Sequence, residues 1–248
     1  MKERVVFFTI VSDNFYYPCG TPKFINSFKR FHPDIDLVVF RQDMVDQVFK
    51  ETGINFFTAK PVFAKLLTPN YDLVVNIDAD SIVLGRLDEI LEKDYDIGGV
   101  MNMNDYENRQ IENISVKQYL NAGLVASRNK QFWDIWEHEN RNAFKYLCAE
   151  NDILNLVWYN NPIVNKMKRK VFDEKKGYYG CKSLNREKEC YLEDGKVMLR
   201  KEQVKVYHNA KGPRFPKLDF RKLGFTEEVS NHMDVLSNYG KTVIYGKI

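Results

Sequence analysis

The sequence predicts an α/β fold with a mixed, mostly parallel central sheet flanked by helices and a small hairpin region toward the C-terminus. Three observations carry this. Residues 5–11 and 73–77 are short and nearly all apolar, as strands buried on both faces are. Segments with helical spacing of apolar residues alternate with such runs, the order of a sheet covered by helices. The second run stops at Asp78-Ala79-Asp80, and open α/β sheets bind ligands outside the carboxyl ends of their strands.

Residues 5–11 form the first strand and run into Ser12-Asp13-Asn14-Phe15-Tyr16-Tyr17-Pro18. That loop reads as a nucleotide dock, with an aromatic for the base, or as an ordinary turn around a packed tyrosine. Residues 22–31 fit a helix with Phe24, Ile25, Phe28 and Phe31 on one face. Residues 37–40 are the second strand. Asp43 caps a helix carrying Met44, Val45, Val48 and Phe49, closed by Gly53. Pro61 opens another helix with Val62, Phe63, Leu66 and Leu67 facing inward. Lys65 lies on it, as surface charge or as a phosphate contact. After Asp80 the chain stays apolar to Leu84, so the two acids sit at a kink between short strands.

Residues 97–101 are a further strand, and 102–113 a polar loop over the site. Tyr119-Leu120-Asn121-Ala122-Gly123 leads into a strand ending at Ser127. Its Asn offers donor and acceptor, and its Gly permits close backbone approach. Residues 129–148 read as one long helix with Phe132, Ile135, Trp136, Phe144 and Leu147 as core contacts. Glu150-Asn151-Asp152 begins the next, as its cap or as polar groups aimed into a cleft. Beyond Pro162 the chain is basic and patchy. Residues 189–199 read as a hairpin around Asp194-Gly195, 204–208 as a last strand, and 227–236 as a closing helix.

The chain has 248 residues, 44% hydrophobic and 29% charged, the balance of a globular protein with a sizeable core. No apolar run approaches the roughly 18 residues that a membrane span needs. The first strand is too short for a signal peptide and lacks a cleavage site. A cytoplasmic location is expected, with the inner face of a membrane as the alternative. Cys19, Cys148, Cys181 and Cys190 form no Cys-x-x-Cys pair, so reduced thiols are expected, with a Cys181–Cys190 disulfide as the other reading. Asn113-Ile114-Ser115 matches a glycosylation acceptor that a cytosolic chain does not use.

The net charge of +3 hides an asymmetry: residues 165–222 hold 18 Lys/Arg against 8 Asp/Glu, and the remainder 19 against 26. The basic tract is a solvated face, or a wall beside an anionic partner such as a diphosphate or an acidic membrane surface. Nucleic acid is not expected, because acids dilute the tract and no recognised module is present.

Asp-x-Asp occurs three times. Asp34-Ile35-Asp36 and Asp94-Tyr95-Asp96 precede apolar runs and sit where strands begin. Only Asp78 and Asp80 follow a buried run at its exit, where two carboxylates can grip a hard divalent cation and with it a diphosphate. His208 ends the last predicted strand and is followed by Lys211, Gly212 and Arg214. It suits such a site, or is a core histidine.

In this order the pieces resemble a glycosyltransferase of the GT-A (Rossmann-like) fold, most closely family 8, which includes glycogenin and lipopolysaccharide galactosyltransferases. Thr9-Ile10-Val11-Ser12-Asp13-Asn14-Phe15-Tyr16 is similar to the segment that holds the uridine. Lys65 matches a basic residue upstream of the metal motif, and Asn76-Ile77-Asp78-Ala79-Asp80 the metal-binding segment itself. Tyr119 to Gly123 is similar to the donor-sugar segment. Glu150-Asn151-Asp152-Ile153-Leu154-Asn155 resembles Asp-Gln-Asp-x-Leu-Asn, with Glu and Asn in the first two places. His208 and the following Lys-Gly resemble the closing His-x-x-Gly-x-x-Lys motif, with Gly212 one position late.

The resemblance implies one domain over residues 1–248, with 1–127 as the nucleotide- and metal-binding half and 128–248 as the acceptor side. It implies hexose transfer from a UDP-sugar to a saccharide, lipid-linked or protein acceptor, with retention. Asp80 and His208 would ligate the cation, and Asp78 would ligate it or hold the ribose and a metal-bound water. An imidazole among oxygens favours Mn²⁺, with Mg²⁺ as the alternative. Thr9, Val11, Ser12, Tyr16, Lys65, Ala79, Asn121, Ala122 and Gly123 would meet the nucleotide or sugar, and Lys211, Gly212 and Arg214 the phosphates. Asn151 and Asp152 would orient the donor sugar at the reacting centre, and Asp152 or Glu150 would be the base of an inverting enzyme. Peripheral membrane contact through the basic C-terminal third is a further expectation. The rivals are a non-catalytic sugar-nucleotide-binding homologue, a structural or interaction module, and a sugar-1-phosphate nucleotidyltransferase. The last needs a Gly-rich loop after the first strand, where residues 12–17 contain no glycine.

Overall fold

The computed structural model describes residues 3–12, 21–101, 109–111, 114–116, 118–142, 145, 149–172, 191–199, 201–208 and 242–245. In chain order the elements are β1 (Val5–Ile10), α1 (Thr21–Phe31), β2 (Asp36–Phe40), α2 (Gln42–Thr52), α3 (Lys60–Leu67), β3 (Leu73–Ile77), β4 (Ser81–Val83), α4 (Asp88–Leu91) and β5 (Ile97–Met101). Then come β6 (Arg109–Ile111), β7 (Ile114–Val116), β8 (Leu120–Ser127), α5 (Lys130–Asn140), α6 (Ala149–Asn160) and β9 (Arg169–Phe172). The last are β10 (Tyr191–Glu193), β11 (Lys196–Leu199), β12 (Glu202–Gln203), β13 (Val206–His208) and β14 (Thr242–Tyr245).

Seven strands make the central sheet, in the order β14-β2-β1-β3-β8-β5-β9. Six run parallel, and β8 alone opposes its neighbours β3 and β5. The most apolar runs lie at the centre because both faces there are covered. Alternation along β1 sends Val6, Phe8 and Ile10 into one core, where Val45 and Val48 of α2, Phe63 of α3, Trp133 and Trp136 of α5 and Leu154 of α6 pack. Phe7 goes to the other, with Phe24 and Phe28 of α1, Ile90 of α4 and Val206 of β13. Gly53 closes α2 in the left-handed conformation, at φ 73°. Asp194 and Gly195, at φ 48° and 72°, make the turn between β10 and β11 that suits a two-residue hairpin.

Several expectations need correction. The helix from residue 129 ends at Asn140, where the chain turns, rather than running to 148; Phe144 and Leu147 lie outside the described residues. Its core face includes Trp133 as well as Phe132 and Trp136. Leu66 is 54% exposed, because α3 turns Phe63, Ala64 and Leu67 to the core instead. Arg41, not Asp43, holds the cap position of α2, and Asp43 falls in its first turn. The basic stretch contains a strand, β9, tied to the acids before β5. Lys170 bridges Glu92 and Asp94, and Lys168 N donates to Asp96 Oδ2 at 2.7 Å. Part of the charge asymmetry is thus answered inside the molecule, and Asp94-x-Asp96 is spent on it. The other rival acid, Asp36, accepts from Tyr71 Oη. The strand ending in His208 is followed by β14, which extends the sheet beyond β2. In the polar loop, β6 pairs with β7. The four cysteines and the helix expected at 227–236 lie outside the described residues. No helix among the described residues is long and apolar enough to cross a membrane.

Candidate metal centre

Local and long-range structure meet at the end of β3. Asp78 N still donates to Gly123 O at 2.8 Å, and then Ser81 N donates back to Asp78 O at 3.1 Å. That tight turn directs the chain off the sheet into β4 and leaves both acids at the bend. β13 pairs antiparallel with β4 and sets His208 opposite Ser81. His208 Nε2 then lies 2.9 Å from Asp80 Oδ1 and 3.3 Å from Asp78 Oδ2. One ligand atom from each residue falls within 4.8 Å of the others. Two carboxylates and an imidazole at this spacing fit a divalent cation.

The acids are also held from behind. Lys60, the first residue of α3, sets Nζ 2.8 Å from Asp78 Oδ1 and 2.9 Å from Glu150 Oε1, and donates to Ala122 O at 3.2 Å. Its side chain is only 9% exposed. Burial opposes the charge, yet the two carboxylates outweigh it and raise the ammonium's pKa above the ordinary lysine value. Burial likewise opposes the Asp78 anion, but Lys60 and then His208 hold its carboxyl well below the usual carboxylate range. Lys65, the expected cation, does not reach this cluster. Five residues along a helix are about 140° around it. Lys65 therefore faces α5 and pairs with Glu137 at 2.5 Å and Asp134 at 3.0 Å. Lys60 was readable in one respect: a lysine in the first turn of a helix opposes the helix dipole and calls for a nearby anion.

The expected donor residues divide into groups. Asn121 is buried; its Oδ1 accepts from Gly123 N at 2.8 Å, and its Nδ2 has no partner among the described residues. Thr9 is buried on β1, and its Oγ1 has no partner among the described residues either. Ser12 is half-buried just past β1. Val11 and Ala79 are packed in the core and offer no exposed side chain to a ligand. Asn151 and Asp152 are turned to the scaffold. Asn151 Oδ1 accepts from Ala122 N at 2.7 Å, and Asp152 Oδ1 from Tyr119 Oη at 2.6 Å. Asp152 is 2% exposed, which fits it to fasten β8 rather than to face a cleft. Tyr16, Lys211, Gly212 and Arg214 lie outside the described residues. Lys60 carries contacts here that the sequence did not single out, and Asn76 and Asn155, which stood in the matched segments without a role of their own, carry others.

No family model matches the chain, and no curated protein does. Among solved structures, apo WbbM, a bifunctional glycosyltransferase, matches with a TM-score of 0.57 at 16% identity. The match covers 98% of this chain and 52% of that one, so the chain spans about half the length of its structural neighbour. At that identity the likeness concerns the fold, which is a mixed, mostly parallel α/β sheet of the GT-A, Rossmann-like kind.

Proposed function

We propose that the chain is a metal-dependent glycosyltransferase that moves a hexose from a UDP-sugar to a saccharide, lipid-linked or protein acceptor, with retention, as family 8 enzymes do. The observation that carries the reading is the convergence of Asp78, Asp80 and His208 at the exit of a central strand in this fold. A cation held there supplies charge neutralisation for a departing diphosphate. The mixed nitrogen and oxygen donor set favours Mn²⁺ over Mg²⁺. Lys60 keeps Asp78 ionised beneath the site. Asn121 brings an amide toward a donor sugar, Thr9, Ser12 and Tyr16 toward the nucleoside, and Lys211 and Arg214 toward the phosphates. Residues 1–127 form the nucleotide half and 128–248 the acceptor side, although His208 and Glu150 reach the centre from the second half.

A screen of UDP-sugars for Mn²⁺-dependent hydrolysis identifies the donor, and product-anomer NMR reads the stereochemistry. Asp80→Asn should lower Mn²⁺-dependent UDP affinity by more than the roughly 10–100-fold that changes behind a metal ligand cost, with the fold kept. Unchanged Mn²⁺-dependent binding in that variant refutes the centre. His208→Ala should weaken the metal selectively; unfolding instead makes His208 a core residue. One observation favours a non-transferring sugar-nucleotide-binding protein: Asn151 and Asp152 are engaged with the backbone of β8 and with Tyr119. Binding of Mn²⁺ and UDP with neither transfer nor donor hydrolysis establishes that reading.

A further inference from the structure

Strand β8 extends past its neighbour. It pairs with β3 from Leu124 to Ser127, and β3 gives one more hydrogen bond, from Asp78 N to Gly123 O. From Leu120 to Ala122 the β3 side of β8 has no strand beside it among the described residues, yet these residues are buried. Backbone groups so placed must find partners.

Side chains supply them in a row. Asn155 Oδ1 accepts from Leu120 N at 2.8 Å, and its Nδ2 donates to Leu120 O at 2.9 Å. The side-chain amide thus does what a peptide of a neighbouring strand would do. Nδ2 also donates to Asn151 O at 2.7 Å, which locks the amide to its own helix. One turn earlier on α6, Asn151 accepts from Ala122 N. Ala122 O accepts from Asn76 Nδ2 at 3.0 Å and from Lys60 Nζ. The sheet opens between β3 and β8 while the backbone groups of Leu120 and Ala122 stay paired. Leu120 and Ala122 face the core shared with α3, α5 and α6. Alternation turns Asn121 to the opposite face, where Leu124 and Val206 of β13 pack.

We propose that Asn155, together with Asn151, is a positioning residue. It replaces the missing strand and holds Leu120–Ala122 so that the Asn121 amide meets a sugar hydroxyl of the donor bound at the metal centre. This rests on the donor reading above. Asn155→Asp keeps the acceptor for Leu120 N and loses the donor to Leu120 O. Asn151→Ala removes one acceptor at a half-buried position and is the gentler change.

Both variants are compared with wild type by amide exchange at Leu120 and Ala122 and by binding of Mn²⁺, UDP, UDP-glucose and UDP-galactose. Exchange at Ala122 in Asn151→Ala should rise about tenfold, the equivalent of one hydrogen bond. The sugar nucleotide bound by wild type should lose about tenfold in affinity. UDP and Mn²⁺ should stay within about twofold, since Asp78 and Asp80 sit at the bend between β3 and β4 and His208 on β13, outside Leu120–Ala122. Wild-type sugar-nucleotide affinity in both variants overturns the proposal, as does equal loss of UDP and UDP-sugar. Unchanged exchange overturns the fastening itself. Wild type that binds neither nucleotide overturns the donor reading, and this proposal with it.

Discussion

Replacing Lys60 by Met removes one ammonium that serves three acceptors. Asp78 Oδ1 and Glu150 Oε1 lose a partner at 2.8 and 2.9 Å, and Ala122 O loses one at 3.2 Å. Met fills nearly the same volume, so the change is electrostatic rather than a cavity. Breaking a buried ion pair from one side costs about 3–5 kcal/mol, because the remaining charge stays buried and uncompensated. For a chain of this size each kcal/mol moves the melting temperature by about 2–4 °C, so a fall of about 6–20 °C is expected. Lys65→Met is the control. Its pairs with Glu137 and Asp134 are partly exposed, and such pairs are worth about 1 kcal/mol or less. Thermal unfolding of both variants in EDTA measures the difference. Added Mn²⁺ should then restore more stability to Lys60→Met than to wild type, since a dication can neutralise the carboxylates left behind. Equal shifts for the two lysines, or a Lys60→Met cost below about 1 kcal/mol, refute the assignment of Lys60 to the centre.

Two further predictions concern the scaffold. His32 is fully buried between Phe7 and Phe28, its Nε2 accepts from Leu87 N, and burial, reinforced by Arg86, lowers its pKa from 6.5 to about 4. A depressed imidazole contributes stability that is full above about pH 6.5 and lost as pH falls toward 4. Urea unfolding at pH 7 and pH 4 should show wild type losing about 3 kcal/mol more than His32→Gln. Gly98→Ala should destabilise by about 1–3 kcal/mol, because its Cβ would lie 2.4 Å from Phe172 Cζ and 3.1 Å from Tyr95 Cε2, both on packed rings. Gly99→Ala, whose nearest contact is Leu120 Cδ1 at 3.6 Å, should cost less than about 1 kcal/mol in the same melts.

The sheet was legible where a strand is buried on both faces, because apolar side chains then leave nothing to alternate. β1 and β3 are of this kind. β9 was not, since Arg169 and Lys170 make its sequence read as a solvated tract. Its pairing with β5, the burial of Phe172 and the acids before β5, all distant in the chain, hold that strand in place. The same limit governed the centre. Asp78 and Asp80 were legible as a pair because strand polarity is written locally, at the junction of an apolar run and a polar break. Lys60 was not, because Asp78, Glu150 and Ala122 come together around it only in the fold, and Asn155 stood in a matched motif without a role because its partner lies 35 residues away at the unpaired edge of β8. Asn151 and Asp152 were found by pattern and given chemistry, whereas the structure gives them backbone and tyrosine partners, a choice that depends on where β3 stops.

The arrangement of charge explains how such a centre can form before any cation arrives. Three carboxylates converge, and Lys60 takes Glu150 together with Oδ1 of Asp78. The other oxygen of Asp78 faces His208, as does Oδ1 of Asp80. A cation held by Asp78, Asp80 and His208 would compete with the His208 contacts and not with those of Lys60, which lie on the other oxygen of Asp78 and on Glu150. Lys60 has a second consequence. By holding the Asp78 carboxyl well below its ordinary range, it keeps protons from competing for that ligand until far into acid. The stability this pairing contributes is full above the ordinary carboxylate range and is lost as pH falls through the lowered value. Metal affinity in Lys60→Met should therefore begin to fall at a higher pH for this ligand than in wild type, even while the added negative charge strengthens binding at neutral pH. A metal titration of both proteins across that range separates the two effects, because a purely structural lysine would move neither.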